Sequence, residues 1–182
     1  MPDRASAVNH EEVVAATRRR SGETTEVFAK RLTTLLPNFP ADVLRQWLVE
    51  NSGVLRDFPW LDPLSLSFRS ETWPTQRVLS EIKHWYEPGV EMEVTKFSEW
   101  SDYRATYPLA NYVFENGTWP VAPIVFDNIG TKPILWGGGT ARFVMLEGMH
   151  RFGFLRALHH EWPDRLLRFH TVWLALDGKD QL

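Results

Sequence analysis

The chain has 182 residues, 43% of them hydrophobic, which is enough for one substantial core and too little for two independent domains. Twenty Lys and Arg against 23 Asp and Glu give a formal net charge of -3, so no global field favours DNA or RNA as the main partner. The absence of cysteine removes thiol catalysis, disulfides and thiolate metal sites. No apolar run reaches the roughly 20 residues that span a bilayer, and the polar first twenty residues lack a signal-peptide core; both predict a cytoplasmic protein without a membrane partner.

In chain order, residues 1–22 read as a flexible or marginally helical arm that ends at Arg18-Arg19-Arg20-Ser21-Gly22. Glu11, Glu12, Glu23 and Glu26 flank the arginines, which makes the triplet a solvated helix end and not a nucleic-acid patch. Residues 23–57 read as a helical extension. Val27, Phe28, Leu32, Leu35 and Leu36 recur at helical spacing up to Pro37, and Val43, Leu44, Trp47 and Leu48 share a face after Pro40, so the two form a helical hairpin. Residues 58–182 read as one α+β domain, compact with the extension. After the Asp57-to-Pro63 loop, the alternation of Leu64, Leu66 and Phe68 with serines predicts a strand. Trp73-Pro74 is expected to open a helix carrying Val78, Leu79, Ile82, Trp85 and Tyr86, with Pro88-Gly89 as its stop. Met92, Val94 and Phe97 suggest a short strand, and Ser98 can cap a helix that runs toward Val113-Phe114 and the Asn116-Gly117 turn. Further strands are expected at 122–126, 134–136 and 141–146, the last two joined through Gly137-Gly138-Gly139 as a hairpin, followed by a helix at 149–160 and a strand at 169–176. The glycine triplet is no P-loop, because a strand and not a Lys-Ser/Thr helix start follows it.

The most informative stretch is Leu146-Glu147-Gly148-Met149-His150-Arg151, where an apolar run stops at Glu-Gly and resumes with helical spacing. New helix amides without intrahelical partners attract anions, Gly148 lets a ligand approach the main chain, and Arg151 can bind phosphate bidentately. His150 can bind phosphate, shuttle a proton or bond backbone, and Glu147 can act as base or magnesium ligand. The competing structural assignment has Glu147 capping the helix, His150 packing at its base and Arg151 in an internal salt bridge.

From a helix and an Asn-Gly turn through Val121-Ala122-Pro123-Ile124-Val125-Phe126 to the Glu-Gly-Met-His-Arg box, residues 105–160 resemble the ParB/sulfiredoxin-like superfamily. That resemblance implies a small mixed β-sheet flanked by helices, here with an N-terminal helical hairpin. It also implies phosphate contacts from Gly148, Met149, His150 and Arg151, and a nucleoside triphosphate, ATP or CTP with Mg2+, as ligand. The box is locally closest to free-serine kinases, which place an acidic residue before Gly, a variable position, His and Arg. Met149 stands where sulfiredoxins carry their catalytic cysteine, so that chemistry is excluded, and too few residues follow Arg151 for a ParB-type DNA domain. Glu71 and Glu115 are candidates for a further catalytic glutamate.

Nine tryptophans are assigned mainly to packing, with Trp119 as the base-stacking candidate. Adjacent His159 and His160 point apart on a helix and cannot readily share a metal ion with each other; His170 lies further on. The functional expectation is a nucleotide-binding NTP hydrolase or phosphotransferase, with Glu147 and His150 catalytic and Glu147 as metal ligand. The alternative is a non-enzymatic protein-interaction domain, such as an immunity protein or antitoxin. An enzyme should open the box to a pocket, and a neutraliser should plug it and expose aromatics elsewhere. On the enzyme reading, Arg151→Ala is expected to weaken nucleotide binding with the melting temperature nearly intact. Oligomeric state is left open.

Overall fold

The computed structural model describes residues 10–129 and 132–178, and the chain divides into two compact units, Met1–Phe68 with Asp177–Leu182 and Arg69–Leu176. The sequence reading put its boundary earlier, at 57/58; the division falls inside a strand. Part of the arm expected at 1–22 lies outside the described residues.

In the first unit, α1 (His10–Ala16) is followed by α2 (Thr25–Leu35), and the side chain of Thr24 accepts a hydrogen bond from the Val27 amide as an N-cap. Arg31 closes the segment between them: it bonds the Ala16 and Arg18 carbonyls and pairs with Glu23 at 2.8 Å. Helix α3 (Ala41–Val43) continues as a π-helical turn, Leu44–Val49. Most of the expected apolar faces are buried, Phe28, Leu32 and Leu36 from α2 and beyond and Val43, Leu44, Trp47 and Leu48 from the next segment, while Leu35 is half-buried and Val27, expected on the same face, is exposed.

The remaining elements are β1 (Leu66–Pro74), α4 (Thr75–Glu81), β2 (Ile82–His84), α5 (Glu87–Glu99), α6 (Ser101–Thr106), α7 (Pro108–Asn116), β3 (Ile124–Asp127), β4 (Phe143–Glu147), α8 (Met149–Glu161) and β5 (Phe169–Asp177). The strands form one mixed sheet in the order β1-β5-β3-β4-β2, so the expected α+β class with a mixed sheet flanked by helices is found. Strand β4 lies antiparallel to β3, with Phe126 opposite Val144, and parallel to β2, with Ile82 opposite Phe143. Phe143 to Leu146 are all buried, the continuous apolar run of a strand enclosed on both faces. Helix α8 is buried nearly all round, packed against α5 and α7, which explains why its sequence shows no sharp amphipathic stripe.

Three expectations are corrected. Pro88-Gly89 starts a helix instead of ending one: Pro88 sits in the first turn of α5, where its missing N–H costs nothing. Consequently Met92, Val94 and Phe97 are helical, and Ile82 to His84 break away from α4 as a strand. Residues 134–136 form no strand. Leu135 N–H bonds Gly139 O at 3.0 Å and Gly138 N–H bonds Leu135 O at 2.9 Å, a local turn in which Gly137 and Gly138 take the expected positive φ. The buried Asn128 side chain ties this connection down through the Lys132 and Ala141 carbonyls. No helix among the described residues is long and apolar enough to cross a membrane.

Candidate functional site

The box falls at the predicted strand-to-helix junction. Strand β4 ends at Glu147, Gly148 turns with φ +118°, and α8 begins at Met149. Only glycine suits that turn, because a Cβ would lie 2.6 Å from Pro123 Cβ as well as in the left-handed region. The same contact fills the face of Gly148 that was expected to stay open to a ligand.

Glu147 and Arg151 meet each other: the guanidinium donates to the Glu147 carboxylate and, through Nη1, to the Val121 carbonyl at 2.8 Å. Arg151 is only 7% exposed. This burial weighs against the expectation that Arg151→Ala leaves stability intact, because truncation removes the cation from a half-buried carboxylate and a donor from a backbone carbonyl. Met149 turns its side chain onto the core, its sulfur packed so close to Gly89 that a Cβ there would approach it to 2.5 Å.

His150 behaves differently. Its side chain is 45% exposed, yet Nδ1 is shut off from solvent and lies 2.9 Å from Oε2 of Glu93, in a bent approach. Glu93 comes from α5 and is fully buried; Lys96 Nζ donates to Oε1 at 2.7 Å, and the Tyr103 hydroxyl donates to Oε2 at 3.1 Å. Burial alone would raise the Glu93 carboxyl, but the bonds from Lys96 and Tyr103 and the close His150 ring outweigh it and hold it below its usual range. The Tyr103 phenol, pushed up by burial and by Glu93, stays a donor. The Tyr107 and Phe154 rings flank His150 at 6.3 and 6.2 Å between centroids.

Sequence reasoning missed Glu93, although a signal existed. Val90, Glu93, Val94 and Phe97 occupy i, i+3, i+4 and i+7, so a carboxylate stands within an apolar helical stripe. Reading 92–97 as a strand hid that periodicity. The two glutamates proposed instead lie apart from the box: Glu71 accepts from Trp73 Nε1 at 2.6 Å and pairs with Arg69, and Glu115 is exposed on α7.

Trp119 is a core residue, 5% exposed, whose indole N–H donates to Thr171 O at 2.7 Å and whose ring lies 5.1 Å from that of His170. It presents no open face to a base. His170 sits between the Thr75 and Thr118 hydroxyls at 3.0 and 2.8 Å, and burial pushes its pKa down to about 4. His159 and His160 are exposed near the end of α8, as expected. Among the described residues, no group of three His, Asp or Glu side chains is placed to hold a metal ion.

A groove of about 830 Å³ opens elsewhere on this unit, between α4, α5 and the far half of α8, lined by Thr75, Leu79, Glu91, Val94, Arg156 and His159 among others. Glu147, His150 and Arg151 are not part of its lining. Arg156 there is held by Glu87 at 2.9 Å and Glu91 at 2.7 Å. Among aromatics, Trp136 stands 70% exposed at the glycine turn, its ring 5.4 Å from that of Tyr86. No protein-family model, no curated protein and no solved structure matches the chain.

Proposed function

We propose that the chain is a cytoplasmic nucleotide-binding protein of the ParB/sulfiredoxin-like kind, an NTP hydrolase or phosphotransferase. The observation that carries this reading is His150, half-exposed in the first turn of α8 and backed through Nδ1 by the buried Glu93 carboxylate. An imidazole supported from behind and open in front suits proton transfer or phosphate contact beside a helix start. The position of Gly148 and Arg151 at a strand-turn-helix junction supports the same reading. Phosphate contact by Arg151 requires the guanidinium to exchange the Glu147 carboxylate for phosphate oxygens. Glu147, already committed to Arg151, makes a poor magnesium ligand by itself, so Mg2+ would enter on the triphosphate, and no step is assigned to it.

The test is calorimetric and thermal-shift titration of the full chain with ATP, ADP, CTP and GTP, each with and without Mg2+. Saturable binding by one triphosphate, weakened at least about tenfold in His150→Ala, is the expected result; silence from all four rejects the reading. His150 is the informative position because its exposure lets it be removed with little cost to folding.

A second reading, a protein-interaction domain such as an immunity protein or antitoxin, rests on the closed Glu147–Arg151 pair and the exposed Trp136 beside Tyr86. Large exposed aromatics are typical anchors of protein interfaces. On this reading Trp136→Ala abolishes partner capture while His150→Ala leaves it unchanged, the reverse of the nucleotide case.

A further inference from the structure

We infer that Glu93 is a positioning residue that fixes the tautomer of His150, holding the proton on Nδ1 and leaving Nε2 as the lone-pair face of a general base. This rests on the nucleotide reading for its chemistry, and it decides between the two roles open to His150.

The geometry separates the two edges of the ring. Nδ1 has no solvent access and faces Oε2 of Glu93 at 2.9 Å, while the side chain as a whole is 45% exposed, so the exposed part is the opposite edge that carries Nε2. A buried carboxylate facing a ring nitrogen favours the proton on that nitrogen. Lys96 and Tyr103 make this durable: they donate to Glu93, offset the cost of burying its charge and keep the carboxylate aimed at the ring. In its neutral form, with the proton on Nδ1, the ring offers no donor to a phosphate oxygen from its open edge. It can accept a proton there. His150 is thus suited to deprotonating the acceptor and unsuited to clamping the nucleotide.

In the step this supports, an acceptor hydroxyl, of water or of an alcohol, gives its proton to Nε2 as its oxygen forms a bond to the γ-phosphorus of a nucleoside triphosphate. The bond from that phosphorus to the β-γ bridging oxygen breaks, and its electron pair leaves with the nucleoside diphosphate. The imidazolium then releases the Nε2 proton to solvent. Glu93 stays ionised throughout and touches no reacting atom.

The deciding experiment is a long-range proton–nitrogen NMR correlation on the uniformly 15N-labelled full chain at neutral pH, with the His150 signals assigned by loss in His150→Gln. The expected result is a protonated Nδ1 and an unprotonated Nε2, reversed in Glu93→Met. With whichever triphosphate binds and turns over, Glu93→Met should lower kcat by about tenfold or more while the Kd for nucleotide changes less than about threefold. A wild-type His150 protonated at Nε2 overturns the inference, as does a wild-type kcat in folded Glu93→Met. If Glu93→Met does not fold, the wild-type tautomer alone decides. A chain that binds no nucleotide sinks the proposed function, and the NMR still answers for Glu93 separately.

Discussion

Arg151 shows how burial changes the meaning of a charged residue. Its guanidinium is enclosed, bonded to the Val121 carbonyl and paired with Glu147, so Arg151→Ala takes a donor from each of two acceptors. Breaking such a pair from one side costs roughly 3 kcal/mol, moderated here because Glu147 keeps some contact with solvent. Urea unfolding of Arg151→Ala should show that loss as a lower midpoint at unchanged slope; a midpoint within error of wild type would mean the pair carries no structural weight. His150→Ala should by contrast stay within about 1 kcal/mol of wild type, since little apolar area is lost, although Glu93 gives up one of three partners. Five consecutive residues were legible as a candidate site because their types and order are unusual at a strand-to-helix junction. Their partners were not legible, because Glu93 and Val121 lie 57 and 30 positions before the residues they hold, His150 and Arg151, and only the fold brings them together.

Glycines decide how the elements meet. Gly153, in the middle of α8, lies so close to α5 that a Cβ would fall 2.7 Å from Glu93 Cβ and 3.1 Å from the Val90 carbonyl oxygen. In an exposed helix Gly→Ala would gain roughly 0.5–1 kcal/mol. Here Gly153→Ala should reverse sign and cost about 1–3 kcal/mol by forcing α5 outward, and it should also disturb the contact between Glu93 and His150. Thermal denaturation gives the sign directly: a raised melting temperature would show that the two helices part without penalty. Elements with a clear apolar period or an unbroken apolar run between turn residues were readable from the chain alone, namely α2, α8, β3, β4 and β5. Helix α5 was not, because its stripe includes a carboxylate and its start, Pro-Gly, has the composition of a stop. The 134–136 strand failed for a related reason: an apolar triplet beside three glycines satisfies a turn as well as a ladder, and Leu135 bonds within the turn.

At the scale of the whole molecule, acid should destabilise the protein through its buried titratable groups. Burial pushes His84 and His170 from their usual 6.5 down to about 4, so both are neutral in the folded chain near neutral pH. Between those values the unfolded chain takes up imidazole protons that the folded chain refuses, and stability rises with pH wherever the unfolded state binds more protons. Their contribution is therefore complete above 6.5 and is lost as pH falls toward 4, after which protonation of Glu93 removes more. Melting temperature measured from pH 7.5 to 4.5 should fall steadily, and a His84→Gln, His170→Gln double variant should flatten the upper part of that curve; parallel curves would show that the histidines contribute nothing. The exposed Trp136 gives the same molecule an optical address. Collisional quenching needs physical contact with the indole, which Trp47, Trp73 and Trp119 deny and Trp136, like Trp100 on the loop after α5, permits. Emission should accordingly split into a shielded blue class and a smaller, redder class, Trp100 and Trp136, open to iodide, and anything that settles over the glycine turn would announce itself by removing the Trp136 share of the quenching.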